Sequence, residues 1–296
     1  NPILGQCEER IRQHVLPLIE EGVVPVVAGF VGRTPDGRIT TIGRGGSDTT
    51  ALILAKALRA DEVVMVTDAE GVMSTDPKLV NNSKRLPRID ASTLAGLADS
   101  GVKFIHGKAL KYKDPSINVR IISYTHGSLG AGGTVITGAL PAEIDVGIGN
   151  SSPTMSITVV GHGVSEEPVI VKELIEKVKA RTQLLGFSAD CNSIILYVPE
   201  GRDSDSLLEA IHETILRHEQ AIAMAVRKQL AFLTIRGVGL EETPGITGKI
   251  SEVLRLSGIN IFGILTITSS ILLFVNWDER ETVLDLIKRS LRGDQV

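Results

Sequence analysis

The sequence predicts an α/β first half followed by a duplicated α+β second half. Three observations carry that reading. Strand-like and helix-like stretches alternate through residues 1–150, a glycine-rich turn opens one of the helices, and two apolar strands of nearly the same sequence recur 77 residues apart.

In the first half, residues 23–30 (VVPVVAGF) read as a buried strand and residues 49–58 as a helix. Residues 62–66 (EVVMV) and 119–123 (VRIIS) read as two further strands. Uninterrupted β-branched runs, without polar alternation, fit strands covered on both faces. A turn-rich piece, GSLGAGG at residues 127–133, leads to PAEIDVGIGNSSP, and the change of character near Asn150 marks a domain boundary.

In the second half, SIILYV (residues 193–198) matches SILLFV (residues 270–275). Leu208 and Leu284 follow them alike, and a GV pair recurs at Gly163 and Gly237. An amphipathic helix precedes each strand, with stripes of Val171, Leu174, Ile175, Val178 and Leu185 in one copy. The other copy has Ile246, Ile250, Val253 and Leu254. Two modules, residues 151–228 and 229–296, are expected, each strand, helix, strand, helix with room for a further strand. The period of about 75 residues exceeds that of the common solenoids.

Composition narrows the function. The chain has 296 residues, a formal charge of −4 and only 3% aromatic residues, so neither a basic face nor a base-stacking surface is implied. Nucleic acid is not an expected partner. Its two cysteines, Cys7 and Cys191, form no CxxC pair, which fits a reducing compartment. No apolar run is long enough for a membrane helix and no leader opens the chain, so a cytoplasmic protein is expected. The first residue is Asn1 rather than methionine, which fits a processed or cropped chain.

The stretch TTIGRGGSDTTALILAKAL (residues 40–58) concentrates the chemistry. Gly43, Gly45 and Gly46 permit positive φ and close approach to a ligand, and Ser47 or Asp48 is placed to cap the helix that follows. A helix N-terminus attracts anions, and Arg44 adds a forked donor for a carboxylate or phosphate. A tight strand-to-helix turn would need the same glycines; Arg44 and Asp48 within it tilt the reading toward a site. In VMVTDAEGVMSTDPK (residues 64–78), Thr67 and Asp68 fall where a buried strand ends, the edge at which open α/β sheets bind ligands. Asp68 and Glu70 suit sugar hydroxyls or a plain acidic turn with Gly71. In DSGVKFIHGKA (residues 99–109), Lys103 and Lys108 suit phosphates or solvent, and spacing alone does not choose.

Together, GRGGSDTTA, the TD of VTDAEGV followed by TDPK, and GVKFIH resemble, in order and spacing, the successive signatures of the aspartokinases, within the amino-acid kinase family. The resemblance covers nearly the whole chain and is weakest over residues 161–220. It implies the C-terminal part of a three-layer amino-acid kinase sandwich followed by two ferredoxin-like ACT modules. It implies transfer of the γ-phosphoryl of ATP, with its magnesium, to the side-chain carboxylate of L-aspartate. That is the first step toward lysine, threonine and methionine.

By that resemblance, Arg44 and Gly45 bind the substrate carboxylate and Ser47 lines the same turn. Asp48 holds the substrate amine or orients a catalytic lysine. Thr67, Asp68, Met73, Lys78, Lys103 and Phe104 bind the nucleotide, Lys103 at its phosphates. Met73 stands where the family has tyrosine, and Lys78 where it has arginine, keeping the charge without the fork. Gly107 stands where proline is usual. The family's opening Lys-x-Gly-Gly loop is missing, so the chain alone is expected to be nearly inactive.

In the second module, TPGITGKISEVLRLSGINI (residues 243–261) resembles the loop and strand that hold an amino-acid effector. Gly245, Ile246, Asn260 and Ile261 are the candidates, with lysine or threonine as effector and pairing of ACT modules into a homo-oligomer; packing alone is the other reading. GITGK is not a phosphate loop, because GxxxxGK[ST] is not satisfied. The six histidines show no paired-ligand spacing, so no metal site is expected. Trp277 is expected in packing or a turn, and DERET as a solvated helix start. A non-catalytic amino-acid sensor and another amino-acid kinase, such as a glutamate kinase, are the rival readings.

Overall fold

The structure is a computed structural model that describes residues 2–98, 105, 107–130, 132–140, 144–237, 240, 244–267 and 270–292. The chain divides into two compact units, residues 1–144 with 237–243, and residues 145–236 with 244–296.

The first unit begins with helices α1 (Leu4–His14) and α2 (Leu16–Glu20) and a small hairpin, β1 (Val31–Arg33) with β2 (Ile39–Thr41). Helix α3 (Gly46–Leu58) then leads into strand β3 (Glu62–Thr67). Strand β4 (Arg88–Asp90), helices α4 (Ala91–Ala98) and α5 (Gly107–Leu110), and strands β5 (Asn118–Ser123) and β6 (Thr134–Thr137) follow. The sheet order is β3-β5-β6-β4, with β3 and β5 parallel. Leu52 and Ala55 of α3, Leu94 of α4 and Leu110 of α5 pack with Val63, Val119, Ile121 and Ile136 into one core. Across the adjacent strands, Arg120 grips Glu62 with two donors, Nε to Oε1 at 3.0 Å and Nη2 to Oε2. Asp90 caps α4, accepting from the Thr93 amide at 2.9 Å and from the Ser92 and Thr93 hydroxyls. These bonds hold its carboxyl far below the usual carboxylate range. Lys113 is buried, its ammonium donating to the carbonyls of Ile117 (2.7 Å), Asp114 (3.2 Å) and Gly138.

Residues 23–30, expected as a buried strand, form none. Val24 is 86% exposed and Val26 97%. A strand requires a neighbour for its amides, and none of the described strands pairs with this segment. Val66, on the face of β3 away from the core cluster, is likewise 54% exposed.

The second unit holds β7 (Asp145–Ile148), β8 (Thr154–Gly161), α6 (Pro168–Lys179), β9 (Gly186–Asp190), β10 (Ser193–Pro199) and α7 (Ser204–Arg217). It continues with β11 (Ala221–Arg236), α8 (Ile246–Leu256), β12 (Gly263–Ile267), β13 (Ser270–Asn276) and α9 (Arg280–Arg292). The first module is β8-α6-β9-β10-α7 with the first part of β11, in spatial order β11-β8-β10-β9. The second uses the last part of β11, α8, β12, β13 and α9, and its fourth strand is β7, in order β7-β11-β13-β12. Both orders are ferredoxin-like. The boundary expected at 150 is therefore displaced, since β7 precedes the first module but completes the second. The strand β11 passes between modules at a bulge, where Gln229 takes φ 58 and Glu200 accepts its amide at 2.5 Å.

The duplication is visible atom by atom. The Leu185 amide donates to the Tyr197 carbonyl at 2.8 Å, and 77 residues later Phe262 donates to Phe274 at 2.8 Å. The Tyr197 and Phe274 rings stack at 3.7 Å between the two copies. Leu185 belongs to this cluster rather than to the α6 stripe, because α6 ends at Lys179. The stripe of α8 holds, with Ile246, Ile250, Val253 and Leu254 all buried. Residues 257–261 do not begin a strand; β12 starts at Gly263, after Phe262 has joined β13. Trp277 opens a short 3-10 turn and lies 4.2 Å under the Arg280 guanidinium. Among the described residues no helix is long and apolar enough to cross a membrane.

Candidate functional site

The turn before α3 is built by glycine. Gly43 has φ 87 and Gly45 φ 73, and the Gly46 amide bonds the Gly43 carbonyl at 2.9 Å. Gly45, not Ser47 or Asp48, is the N-cap, and the Thr49 amide bonds its carbonyl at 2.9 Å. The two left-handed glycines start the helix early, so Ser47 and Asp48 fall within its first turn, where Asp48 complements the helix dipole. Phe30, held at φ 72, closes over the turn. Its amide bonds Thr50 Oγ1 at 3.3 Å, and a Cβ on Gly46 would meet its ring at 2.9 Å. Arg44 and Ser47 remain exposed.

Helix α3 and strand β3 are each about 20 Å long, run in opposite directions through a turn at residues 59–61, and pack together. The start of α3 and the end of β3 therefore share one edge of the unit. Thr67 ends β3 and donates to Asp68 Oδ1 at 3.0 Å, and Asp68 is exposed. Because β5 runs parallel with Thr67 opposite Ser123, the turn at Tyr124–His126 reaches the same edge. There His126 Nε2 lies 3.9 Å from Glu70 Oε2.

The loop after Asp68 is pinned by Thr134, which is fully buried. Its hydroxyl accepts from the Val72 amide at 2.9 Å and donates to the Leu86 carbonyl at 2.6 Å. Beyond it an arm folds out, with Met73 bridged to Arg85 and the Ser74 amide bonded to the Lys84 carbonyl at 2.7 Å. Met73 is half-buried at the base. Lys78 is exposed in the turn at the tip, where its amide bonds Asp76 Oδ1 at 2.8 Å.

Residues 2–123 match the amino acid kinase family. Along 99% of its length the chain is 29% identical to an aspartokinase of Thermus thermophilus, of which it covers 72%. It is 30% identical to aspartokinase 2 of Bacillus subtilis over 82% of its own length, covering 60% of that protein. The chain is similar to the aspartokinases along nearly its whole length.

An aspartate kinase from Synechocystis shows the same fold, with a TM-score of 0.78 and 23% identity over 94% of this chain and 50% of that one. The Gly43–Asp48 turn and the Thr67–Asp68 strand end, both within the region that matches the amino acid kinase family, meet at one edge. Lys103 and Phe104 lie outside the described residues. The effector candidates are not brought together within one chain. Gly245 caps the start of α8 with φ 80 and Ile246 is buried behind it, whereas Asn260 and Ile261 follow the other end of that helix, about 16 Å away. Arg85, His126 and Thr134 escaped the sequence reading, because each is brought to the edge by strand pairing rather than by a motif.

Proposed function

We propose that this chain is the nucleotide-side and regulatory part of an aspartate kinase, which transfers the γ-phosphoryl of ATP to L-aspartate to give 4-phospho-L-aspartate. The observation that carries it is the shared edge, where a cationic glycine turn at a helix N-terminus meets a strand end bearing Thr67 and Asp68. The side-chain carboxylate of aspartate is ionised near neutral pH, so its oxygen attacks the γ-phosphorus directly and ADP leaves without a general base. The protein's task is positioning and charge. Arg44, with the Gly45 and Ser47 amides of the turn, holds a substrate carboxylate, and Asp48 takes the amine or orients a lysine. Thr67 and Asp68 hold the nucleoside, with Met73 beside the base. Lys78, Lys103 and Phe104 complete the nucleotide set.

Among the described residues no three His, Cys, Asp or Glu side chains gather to hold a metal. The magnesium of the reaction is the one that accompanies ATP, as the kinase reading implies, offsetting phosphate charge. The two ferredoxin-like modules serve regulation, with lysine or threonine as effector. The separation of Gly245 from Asn260 makes an effector site shared between two copies the fitting arrangement. The reaction opens the route to lysine, threonine and methionine.

Calorimetry with magnesium-ADP tests the nucleotide edge. Asp68→Ala is expected to weaken binding by about tenfold or more, as for loss of a hydrogen bond to a charged group. Equal affinity in the variant would contradict the assignment.

A further inference from the structure

Arg85 and His126 stand side by side at this edge, and neither belongs to the motif residues assigned above. A Cβ on Gly132 would lie 3.1 Å from His126 Nε2 and 3.2 Å from Arg85 Nη1, so one methyl group there would touch both. A Cβ on Gly71 would lie 3.2 Å from Arg85 Cδ. The arginine side chain thus lies against two glycines, Gly71 at φ 133 and Gly132 at φ 64, and the second of these also adjoins the histidine.

The orientation of both groups is fixed by backbone. Met73 and Arg85 are bridged as antiparallel partners, and the Leu86 amide bonds the Val72 carbonyl at 2.8 Å, so the arm presents Arg85 at its base. His126 Nδ1 accepts from the Ser123 amide at 3.2 Å, which closes the turn as a capping box. Nδ1 lies equally close, 3.2 Å, to the Ser123 carbonyl oxygen, so Ser123 sets the ring in the turn and Nε2 is the atom that faces Glu70 and Gly132. Arg85 is a donor, His126 Nε2 is one whenever it carries the ring proton, and the Glu70 carboxylate, 65% exposed, is the acceptor that Nε2 faces at 3.9 Å. A fork and a ring N–H converging on one small space match the oxygens of a phosphate chain.

We infer that Arg85 and His126 together grip the phosphate chain of the nucleotide, the phosphate oxygens replacing the Glu70 carboxylate on His126. This rests on the nucleotide reading of the β3 edge. Lys78 and Lys84 on the same arm add positive charge without the fork. Asp68, Glu70 and, on the arm, Asp76 are the opposing charges.

The test is calorimetry on the 296-residue chain with two probes, magnesium-ADP and adenosine, the second lacking phosphate. Arg85→Ala is expected to weaken ADP about tenfold and His126→Gln by roughly threefold or more, with adenosine unchanged and Arg85→Lys intermediate. Circular dichroism of each variant establishes that it is folded. A folded Arg85→Ala variant that binds ADP as the wild type does, or loses ADP and adenosine equally, overturns the grip and leaves the nucleotide edge standing. A wild-type chain that binds neither probe overturns the nucleotide reading itself, and the grip with it.

Discussion

Gly133→Ala is expected to cost about 3 kcal/mol or more, or to leave no soluble first unit at all. Two effects add. Gly133 sits at φ 83, where a side chain is strained by about 1–2 kcal/mol. Its Cβ would also lie 2.1 Å from the Ile121 carbonyl oxygen and 2.7 Å from Ile122 Cγ2, both in the central strand β5. Relief would require β5 and β6 to part, and the neighbouring Thr134 hydroxyl would then lose the Val72 amide that it anchors. The loss should therefore reach the nucleotide edge as well as the sheet. Gly258 supplies the control, since it has φ 70 with nothing within 4 Å of its Cβ position, so Gly258→Ala bears only the backbone strain. Urea midpoints of the two variants decide the matter, and equal small losses would show that the close approach at Gly133 does not hold.

In the complete product of the gene, Arg44→Ala is expected to raise KM for aspartate roughly 100-fold, within the range for removing one partner of a hydrogen-bonded charge pair. Positive φ at Gly43 and Gly45 folds the turn so that Arg44 stands exposed at the mouth of α3, beside the first amides of a helix whose N-cap is glycine. A carboxylate there meets a fork and a helix N-terminus together. Arg44→Lys should recover only part of the loss, because the point charge stays while the paired geometry goes. Affinity for ADP should not change. An unaltered KM for aspartate in a folded Arg44→Ala variant would remove Arg44 from the substrate site.

Much of this site was legible because its chemistry is local. The glycines, Arg44 and Asp48 occupy six consecutive positions, and a strand end with Thr67 and Asp68 declares itself by the apolar run before it. The strand misread at residues 23–30 shows the limit of local reading. Its composition suits a buried strand, but burial and pairing come from neighbours, and here Val24 and Val26 face solvent. Gly45 outranked Ser47 as cap because two positive φ angles, not side-chain chemistry, set where α3 begins.

In the second half the repeat of SIILYV and SILLFV gave the modules, since both copies form the same internal strand, β10 and β13. The edge strands β9 (GFSAD) and β12 (GILTI) lack that apolar density and were not foreseen one by one. The role of β7 was hidden for a different reason. Four residues of ordinary composition complete a module whose other strands lie more than eighty residues away, and only the pairing with β11 shows it. Arg85 and His126 were invisible in the same way.

The central claim is aspartate-specific phosphoryl transfer. Its most direct test traps the acyl phosphate with hydroxylamine, using ATP, magnesium and L-aspartate, on the complete product of the gene beside the 296-residue chain. Aspartyl hydroxamate is expected from the complete product, and none when L-glutamate replaces aspartate. No hydroxamate from either protein, with both folded, would contradict it and favour a regulatory amino-acid sensor; equal product from glutamate would contradict the assignment to aspartate.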